Sequence, residues 1–333
     1  MSNGIGVAYA HPIQRKTALL MTALLTTANW SSSAWMKALR ATAPARKFVL
    51  NGVDEFDPAE VRYALTWKPP EGLLRSLPNL EVVFNLGAGV DAVLSDPDLP
   101  NVPLVRLVDD NLADRMAEWV TLQVLAHHRK MLAYIEQQRV RKWRGLGDPI
   151  ASDLTVGFLG YGVLAQHAAR VILTLGYDVH AWSRSPKDTD VTLHVGEAGL
   201  TDFLSHTDIL VVLLPLTEAT AGIINADLIN GLSKDGPLGG PVVINAGRGA
   251  LQVEADIVAA LHSGALRGAS LDVFQTEPLP VDDPLWDAPN LIITPHCSAV
   301  SDPAAVSRYV VRQMEAYERG EPLANIVDRE RGY

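Results

Sequence analysis

Short apolar runs alternate with stretches of helical period along almost the whole chain. The runs at 17–27 (TALLMTALLTT), 47–51 (KFVLN), 63–67 (YALTW) and 80–87 (LEVVFNLG) form a first series. A second comprises 154–160 (LTVGFLG), 178–184 (DVHAWSR), 208–216 (DILVVLLPL), 241–249 (PVVINAGRG), 268–274 (GASLDVF) and 290–296 (NLIITPH). The runs are near-continuous in Val, Ile and Leu, as strands buried on both faces must be. Helical patterns separate them, first at 34–42 (AWMKALRAT). One long stretch at 111–140 carries Ala117, Val120, Val124 and Leu125 on its apolar stripe, and a last pattern runs over 303–320. Such alternation predicts an α/β protein of two doubly wound parallel sheets, the last helix crossing back to the first domain.

With 333 residues the chain is long enough for two domains of ordinary size. Its 28 basic and 38 acidic residues give a formal net charge of -10, which argues against nucleic acid as a partner. A single cysteine, Cys297, excludes an internal disulfide and a cysteine-rich metal cage and fits a reducing, cytoplasmic setting. No metal is expected, because the nine histidines are scattered. Arg15 and Lys16 followed by TALLMTALLTTA have the order of a secretory signal. The apolar run is short, however, and an amphipathic stretch follows it, so a first strand is the expectation, with residues 1–16 as an extension and no membrane span.

The segment LTVGFLGYGVLAQHAARVI places Gly160, Gly162 and Ala165 in a G-x-G-x-x-A pattern after a strand and at the start of a helix. Gly160 allows the tight turn, Gly162 lets a backbone approach a pyrophosphate, and Ala165 permits close packing of helix on strand. The N–H groups of the new helix, at Val163 and Leu164, face the phosphates. This is a dinucleotide-binding turn. About twenty residues later, where an acidic residue would bind the ribose hydroxyls of NAD, the chain reads Ser183-Arg184-Ser185 with Lys187 beyond, and no carboxylate precedes Asp188. A guanidinium fork with two hydroxyls suits a 2'-phosphate, so NADPH is expected over a weaker NADH. A solvated basic turn is the alternative.

Three further strand ends carry reactive side chains: Arg248 in INAGRGA, Glu277 in DVFQTEPLP and His296 in IITPHCSA. Ligands of open parallel sheets bind outside the carboxyl ends of the strands, so these three are expected to converge with the cofactor. Taken singly, each has a bland reading, as a surface arginine, a capping acid or a core histidine. His127 and His128 read as ordinary helix residues, the basic run from Arg139 (RVRKWRG) as a solvated face, and Cys297 as a small packing residue.

In that order, N-x-x-R-G, D-V-F-x-x-E-P-L-P and T-P-H after a glycine turn resemble the D-2-hydroxyacid dehydrogenase family. NLGAGVD, GYGVLA, WSRS, LLPLT, AGIIN and the tail VDRERGY resemble its glyoxylate/hydroxypyruvate reductase group, from about residue 17 to the end. The resemblance implies NADPH-dependent reduction of glyoxylate and hydroxypyruvate, small 2-oxo acids, to glycolate and D-glycerate. Arg248 would hold and polarise the substrate, His296 would be the general acid, and Glu277 would orient its ring. The backbone of Leu86, Gly87, Ala88 and Gly89 would hold the substrate carboxylate, and Trp67 would wall the pocket. Leu214, Pro215 and Thr217 would line the cofactor, and Ala246, Asp272 and His296 would flank the nicotinamide. It also implies a substrate domain of residues 1–112 and 300–333, with the NADP-binding Rossmann domain at 113–299 inserted in it, the two able to close on the ligands. The helix around Ala117 to Leu132 would be a homodimer face. Another 2-hydroxy acid as substrate, or a non-catalytic dinucleotide-sensing scaffold, remains open.

Overall fold

A computed structural model describes residues 21–28 and 30–333. The extension at 1–16 and the start of the first apolar run lie outside those residues. The chain forms two compact units, one from the chain up to Asp109 with Ser301–Arg331, the other from Asp110–Val300.

In the first unit, strands β1 (Thr22–Thr27), β2 (Phe48–Leu50), β3 (Val61–Trp67), β4 (Val82–Asn85) and β5 (Leu104–Val105) form a wholly parallel sheet in the order β2-β1-β3-β4-β5. That is a doubly wound order. Helix Ser32–Thr42 buries Trp35, Met36 and Leu39, and the last helix, Pro303–Glu318, packs against it. A buried charge cluster ties that last helix to the sheet. Arg46 donates to both carboxylate oxygens of Glu318, at 2.7 and 2.9 Å, and the Tyr63 hydroxyl donates to Glu318 Oε1 at 3.1 Å.

The second unit holds seven parallel strands in the order β12-β11-β10-β9-β6-β7-β8. These are β6 (Thr155–Leu159), β7 (Asp178–Ser183), β8 (Thr192–Val195), β9 (Ile209–Val212), β10 (Val242–Asn245), β11 (Gly268–Leu271) and β12 (Leu291–Ile293). Chain order reverses between β6 and β9, so the crevice at the switch point opens beside the glycine turn that follows β6. Burial on both faces explains the unbroken apolar runs. Ile209 and Val211 pack towards helices Asp110–His128 and Val163–Thr174, whereas Leu210 and Val212 pack towards Glu254–Ser263 and its neighbours.

The sequence differs from these elements in three places. Strands β5 and β8 are not foreshadowed by apolar runs: the first has two residues, and the second is a partly exposed edge strand. The single long helix at 111–140 is two helices, Asp110–His128 and Met131–Arg139, because Lys130 takes a left-handed conformation with φ 53°. His127 and His128 point inwards. The His127 Nε2 lies 2.8 Å from the Ser270 hydroxyl, which itself donates to Gln123 Oε1, and His128 bonds the Tyr177 hydroxyl and the Pro149 carbonyl. Among the described residues no helix is long and apolar enough to cross a membrane.

Burial pulls the His127 pKa down to about 4 from an ordinary 6.5. As pH falls below about 6.5, the unfolded chain takes up a proton at this position that the folded chain refuses, so stability declines between about pH 6.5 and 4. His127→Gln is expected to flatten that part of the curve of unfolding free energy against pH and to leave stability above pH 7 nearly pH-independent at this position. Urea titrations at several pH values would measure it.

Candidate active site

The groups singled out in the second half of the sequence stand at the carboxyl ends of parallel strands of one unit. After β6, Gly160 adopts φ 92°, a conformation that favours glycine, and donates its N–H to Trp182 O at 3.1 Å. A Cβ there would lie 2.9 Å from Leu214 Cδ2, so Leu214 closes over the turn as its partner. Gly162 is the N-cap of helix Val163–Thr174, and the first bond of that helix runs from Gln166 N to Gly162 O. The N–H groups of Val163 and Leu164 therefore have no protein acceptor among the described residues. The first turn carries no acidic residue, and a Cβ at Gly162 would meet nothing within 4 Å. Open donors, a positive dipole end and a bare backbone fit a pyrophosphate.

Strand β7 ends beside this turn. Arg184, Ser185 and Lys187 are exposed beyond it, but Ser183 is buried, and its hydroxyl donates to Ser185 O at 2.6 Å. Ser183 thus shapes the loop from inside, and the exposed polar set reduces to Arg184, Ser185 and Lys187. The loop is tied to the glycine turn by the Thr189 hydroxyl, which donates to the Tyr161 hydroxyl at 3.2 Å.

At the end of β10, Asn245 turns its side chain inwards. Its Nδ2 donates to Arg248 O and to Gln252 Oε1, and its Oδ1 accepts from Gly247 N. Gln252 in turn donates to Val273 O, the segment that leads to Glu277. Asn245 and Gln252 are fully buried, so this amide pair fixes the Arg248 turn against the end of β11. A Cβ on Gly249 would fall 1.9 Å from the Phe274 carbonyl carbon, which makes the same join sterically exclusive to glycine. Arg248 itself is half-buried, with Nη1 donating to Gly247 O at 2.9 Å.

The His296 Nδ1 lies 2.9 Å from both oxygens of Glu277. Imidazole and carboxylate side chains are each about one-third exposed, at 32% and 27%. His296 has φ 51°, unusual for a residue with a side chain. What holds it is Asp272, whose side chain is wholly buried: Oδ1 accepts from the Thr294 hydroxyl and Cys297 N, Oδ2 accepts from Ser298 N, and its carbonyl accepts from His296 N. Asp272 therefore anchors the His296 loop in addition to any place beside a nicotinamide. Cys297 is exposed, which corrects its reading as a packing residue; partial burial and the Asp272 charge push its thiol pKa up. Ala246 is buried at the β10 end, and Pro215 and Thr217 are held by the Thr220 hydroxyl, which donates to Pro215 O and accepts from Thr217 N.

The turn after β4 belongs to the first unit. Asn85 donates through Nδ2 to Gly87 O and Gly89 O, drawing the carbonyls to one side. The N–H groups of Gly87, Ala88 and Gly89 have no protein acceptor among the described residues, so the turn is a nest of donors. Leu86 does not belong to that set: its N–H continues the sheet to Thr66 O at 2.9 Å. Trp67 lies against Gly87, where a Cβ would come within 2.3 Å of Trp67 Cζ3. Asn85, Asn245 and Gln252 escaped the sequence reading as positioning residues; a lone amide at the end of an apolar strand is the signal that marks the first two. Among the described residues no group of three or more side chains is arranged to hold a metal ion.

Residues 121–298 match the D-isomer specific 2-hydroxyacid dehydrogenase, NAD binding domain. The chain is 39% identical over 306 residues to glyoxylate/hydroxypyruvate reductase A of Escherichia fergusonii, covering 90% of this chain and 96% of the relative. It is similar in fold to the NADPH-dependent glyoxylate/hydroxypyruvate reductase from Sinorhizobium meliloti solved with NADP and sulfate. That match has a TM-score of 0.90 and 45% identity and covers 94% of this chain and 99% of the other. A probable 2-hydroxyacid dehydrogenase from Rhizobium etli, solved with NADP, HEPES and L(+)-tartaric acid, matches at TM-score 0.88 and 43% identity over 94% and 99% of the two chains.

Gly249→Ala is expected to destabilise the protein by about 3 kcal/mol, the upper range for forcing a methyl into a packed site. Because the clash is with backbone at Phe274, kcat/KM should fall with it, as Arg248 is pushed from its turn. Chemical denaturation and steady-state assays of the same preparation would check both.

Proposed function

The chain belongs to the D-isomer-specific 2-hydroxyacid dehydrogenase family, and on that premise we propose that it reduces glyoxylate and hydroxypyruvate to glycolate and D-glycerate with NADPH. The observation that carries the reading is the His296–Glu277 pair, 2.9 Å apart, held in the unit that also carries Arg248 and the glycine turn. A reduced nicotinamide, when bound, supplies the hydride that reduces the C2 carbonyl. The N–H groups of Val163 and Leu164 hold the pyrophosphate, and Arg184, Ser185 and Lys187 hold a 2'-phosphate that an acidic loop would repel.

The chain's own residues do the rest. The Arg248 guanidinium hydrogen-bonds the carboxylate and carbonyl oxygens of the 2-oxo acid, orienting it and drawing charge towards the carbonyl oxygen. In the first unit the N–H groups of Gly87, Ala88 and Gly89 hold the carboxylate, and Trp67 limits what can follow C3. His296 keeps a proton on Nε2 and gives it to the forming alkoxide, while Glu277 accepts the Nδ1–H bond, fixing tautomer and ring plane. Residues 1–112 with 300–333 are accordingly the substrate domain and 113–299 the NADP-binding domain. A homodimer through the segment around Ala117 to Leu132 is part of the same proposal: Leu122 and Met131 leave apolar surface exposed there. The lone cysteine suits a cytoplasmic enzyme.

NADPH oxidation followed across glyoxylate, hydroxypyruvate, pyruvate and a bulkier 2-oxo acid, with NADH alongside, tests the reading: the two small substrates with NADPH should be fastest. Tight NADPH binding without turnover of any of them would point instead to a dinucleotide-sensing scaffold. His296→Asn should lower kcat by about 100-fold or more with the dissociation constant for NADPH unchanged. Arg184→Ala should lower kcat/KM with NADPH roughly tenfold or more and leave the NADH value nearly unchanged, since a charge-assisted bond to phosphate contributes about 1.5–3 kcal/mol.

A further inference from the structure

Three indoles form one pile beside the donor turn of the first unit. Trp35, on helix Ser32–Thr42, is 3% exposed and belongs to the core. Trp30, in the connection before that helix, stacks on it with ring centroids 5.4 Å apart and planes 9° from parallel. Trp30 also stacks on Trp67, at 4.7 Å and 10°. Trp67 in turn bears on Gly87, the first residue of the N–H nest. Trp30 is thus the middle member of a chain of contacts that runs from the rigid core to the turn.

The connection itself is bonded to the strand that ends in Trp67. Ala28 N donates to Trp67 O at 3.2 Å, and Thr27 Oγ1 approaches Trp30 O at 3.5 Å. Trp30 is only half-buried, so filling the core does not account for it; what it adds is a flat wall at stacking distance from Trp67. A tryptophan at a strand end with one face unsupported has several rotamers open to it, and Gly87 offers no side chain to hold it in place.

We infer that Trp30 is a positioning residue that sets substrate size and carboxylate affinity by holding the Trp67 ring against Gly87. This rests on the proposal that the turn after β4 receives the substrate carboxylate and that Trp67 limits the group beyond C3. With Trp30 in place, Trp67 has one orientation, the turn has one conformation, and its three donors converge without further ordering on binding. With Trp30 removed, Trp67 can swing into the space left by the indole, the donors lose their backing, and room opens for a branched substrate. Arg248, Glu277 and His296 belong to other elements, so proton and hydride transfer from a substrate once bound should proceed as before.

The test is a comparison of wild type, Trp30→Ala, Trp30→Leu and Trp30→Phe, with kcat and KM measured for glyoxylate and for a 2-oxo acid branched at C3. For Trp30→Ala the KM for glyoxylate should rise roughly two- to tenfold, the range that one aromatic stacking contact represents. Its kcat should stay within about twofold, and the ratio of kcat/KM for the branched acid over glyoxylate should increase. Trp30→Phe should recover most of the wild-type KM and selectivity. Should Trp30→Ala not fold, Trp30→Leu, which fills volume without stacking, must show the same split. An unchanged KM and selectivity in the variants of an active wild type overturns the inference alone. A joint fall of kcat and stability that Trp30→Phe does not repair also overturns it, as the mark of a purely structural residue. A wild type that turns over neither substrate removes the assigned function, and this inference with it.

Discussion

The buried carboxylate of Asp272 is the constraint on which the strand-end loops carrying His296 and Arg248 depend. An ionised carboxylate with no exposed surface is destabilising by several kcal/mol unless donors surround it. Here Thr294, Cys297 and Ser298 supply three donors, and all of them lie on the loop that carries His296. Satisfying the carboxylate therefore forces that loop into one path, with His296 in the left-handed region, uncommon for a residue with a side chain. The next link runs sideways: Asp272 N donates to Asn245 O, and the Asn245 side chain braces Arg248. His296, its Glu277 partner and Arg248 are thus tied to one buried polar network rather than held by three separate loops.

A second constraint is topological. Because every strand of the unit is parallel, every strand end that carries a reactive residue opens on the same edge of the sheet, and the order reversal between β6 and β9 places the helix with open N–H groups there too. Local charge then departs from global charge. The chain is acidic overall, yet the loop after β7 presents Arg184 and Lys187, and the glycine turn presents a positive helix end. Both suit an anionic dinucleotide.

Much of this was legible in the residues, for identifiable reasons. Strands buried on both faces have to be apolar throughout, so most strands of the described residues announce themselves as apolar runs, whereas two-residue β5 and the half-exposed edge β8 do not. The glycine turn was readable because Gly160 answers a backbone demand that is visible as a residue type. Side-chain direction was not readable. Ser183 and Arg184 are adjacent letters, but the strand's alternation buries one hydroxyl and exposes the next side chain. Leu86 looked like part of the donor turn because motif and sheet overlap by one residue, and the sheet takes its N–H. The break at Lys130 leaves no proline or glycine behind it, and Cys297 beside His296 gave no hint that it would be exposed. Asn245 left a signal as a lone amide at the end of an apolar strand, whereas the Gln252 bonds and the Trp30 stack appear only when the distances are known.

The most direct measurement follows the transferred atom. NADPH carrying deuterium on the transferring face of nicotinamide C4 should, in a single turnover with hydroxypyruvate, leave the label at C2 of D-glycerate and none in solvent, with unlabelled NADPH in deuterium oxide giving protium at C2. Deuterium lost to water, L-glycerate as product, or NADPH recovered unoxidised from a tightly bound complex would contradict the account.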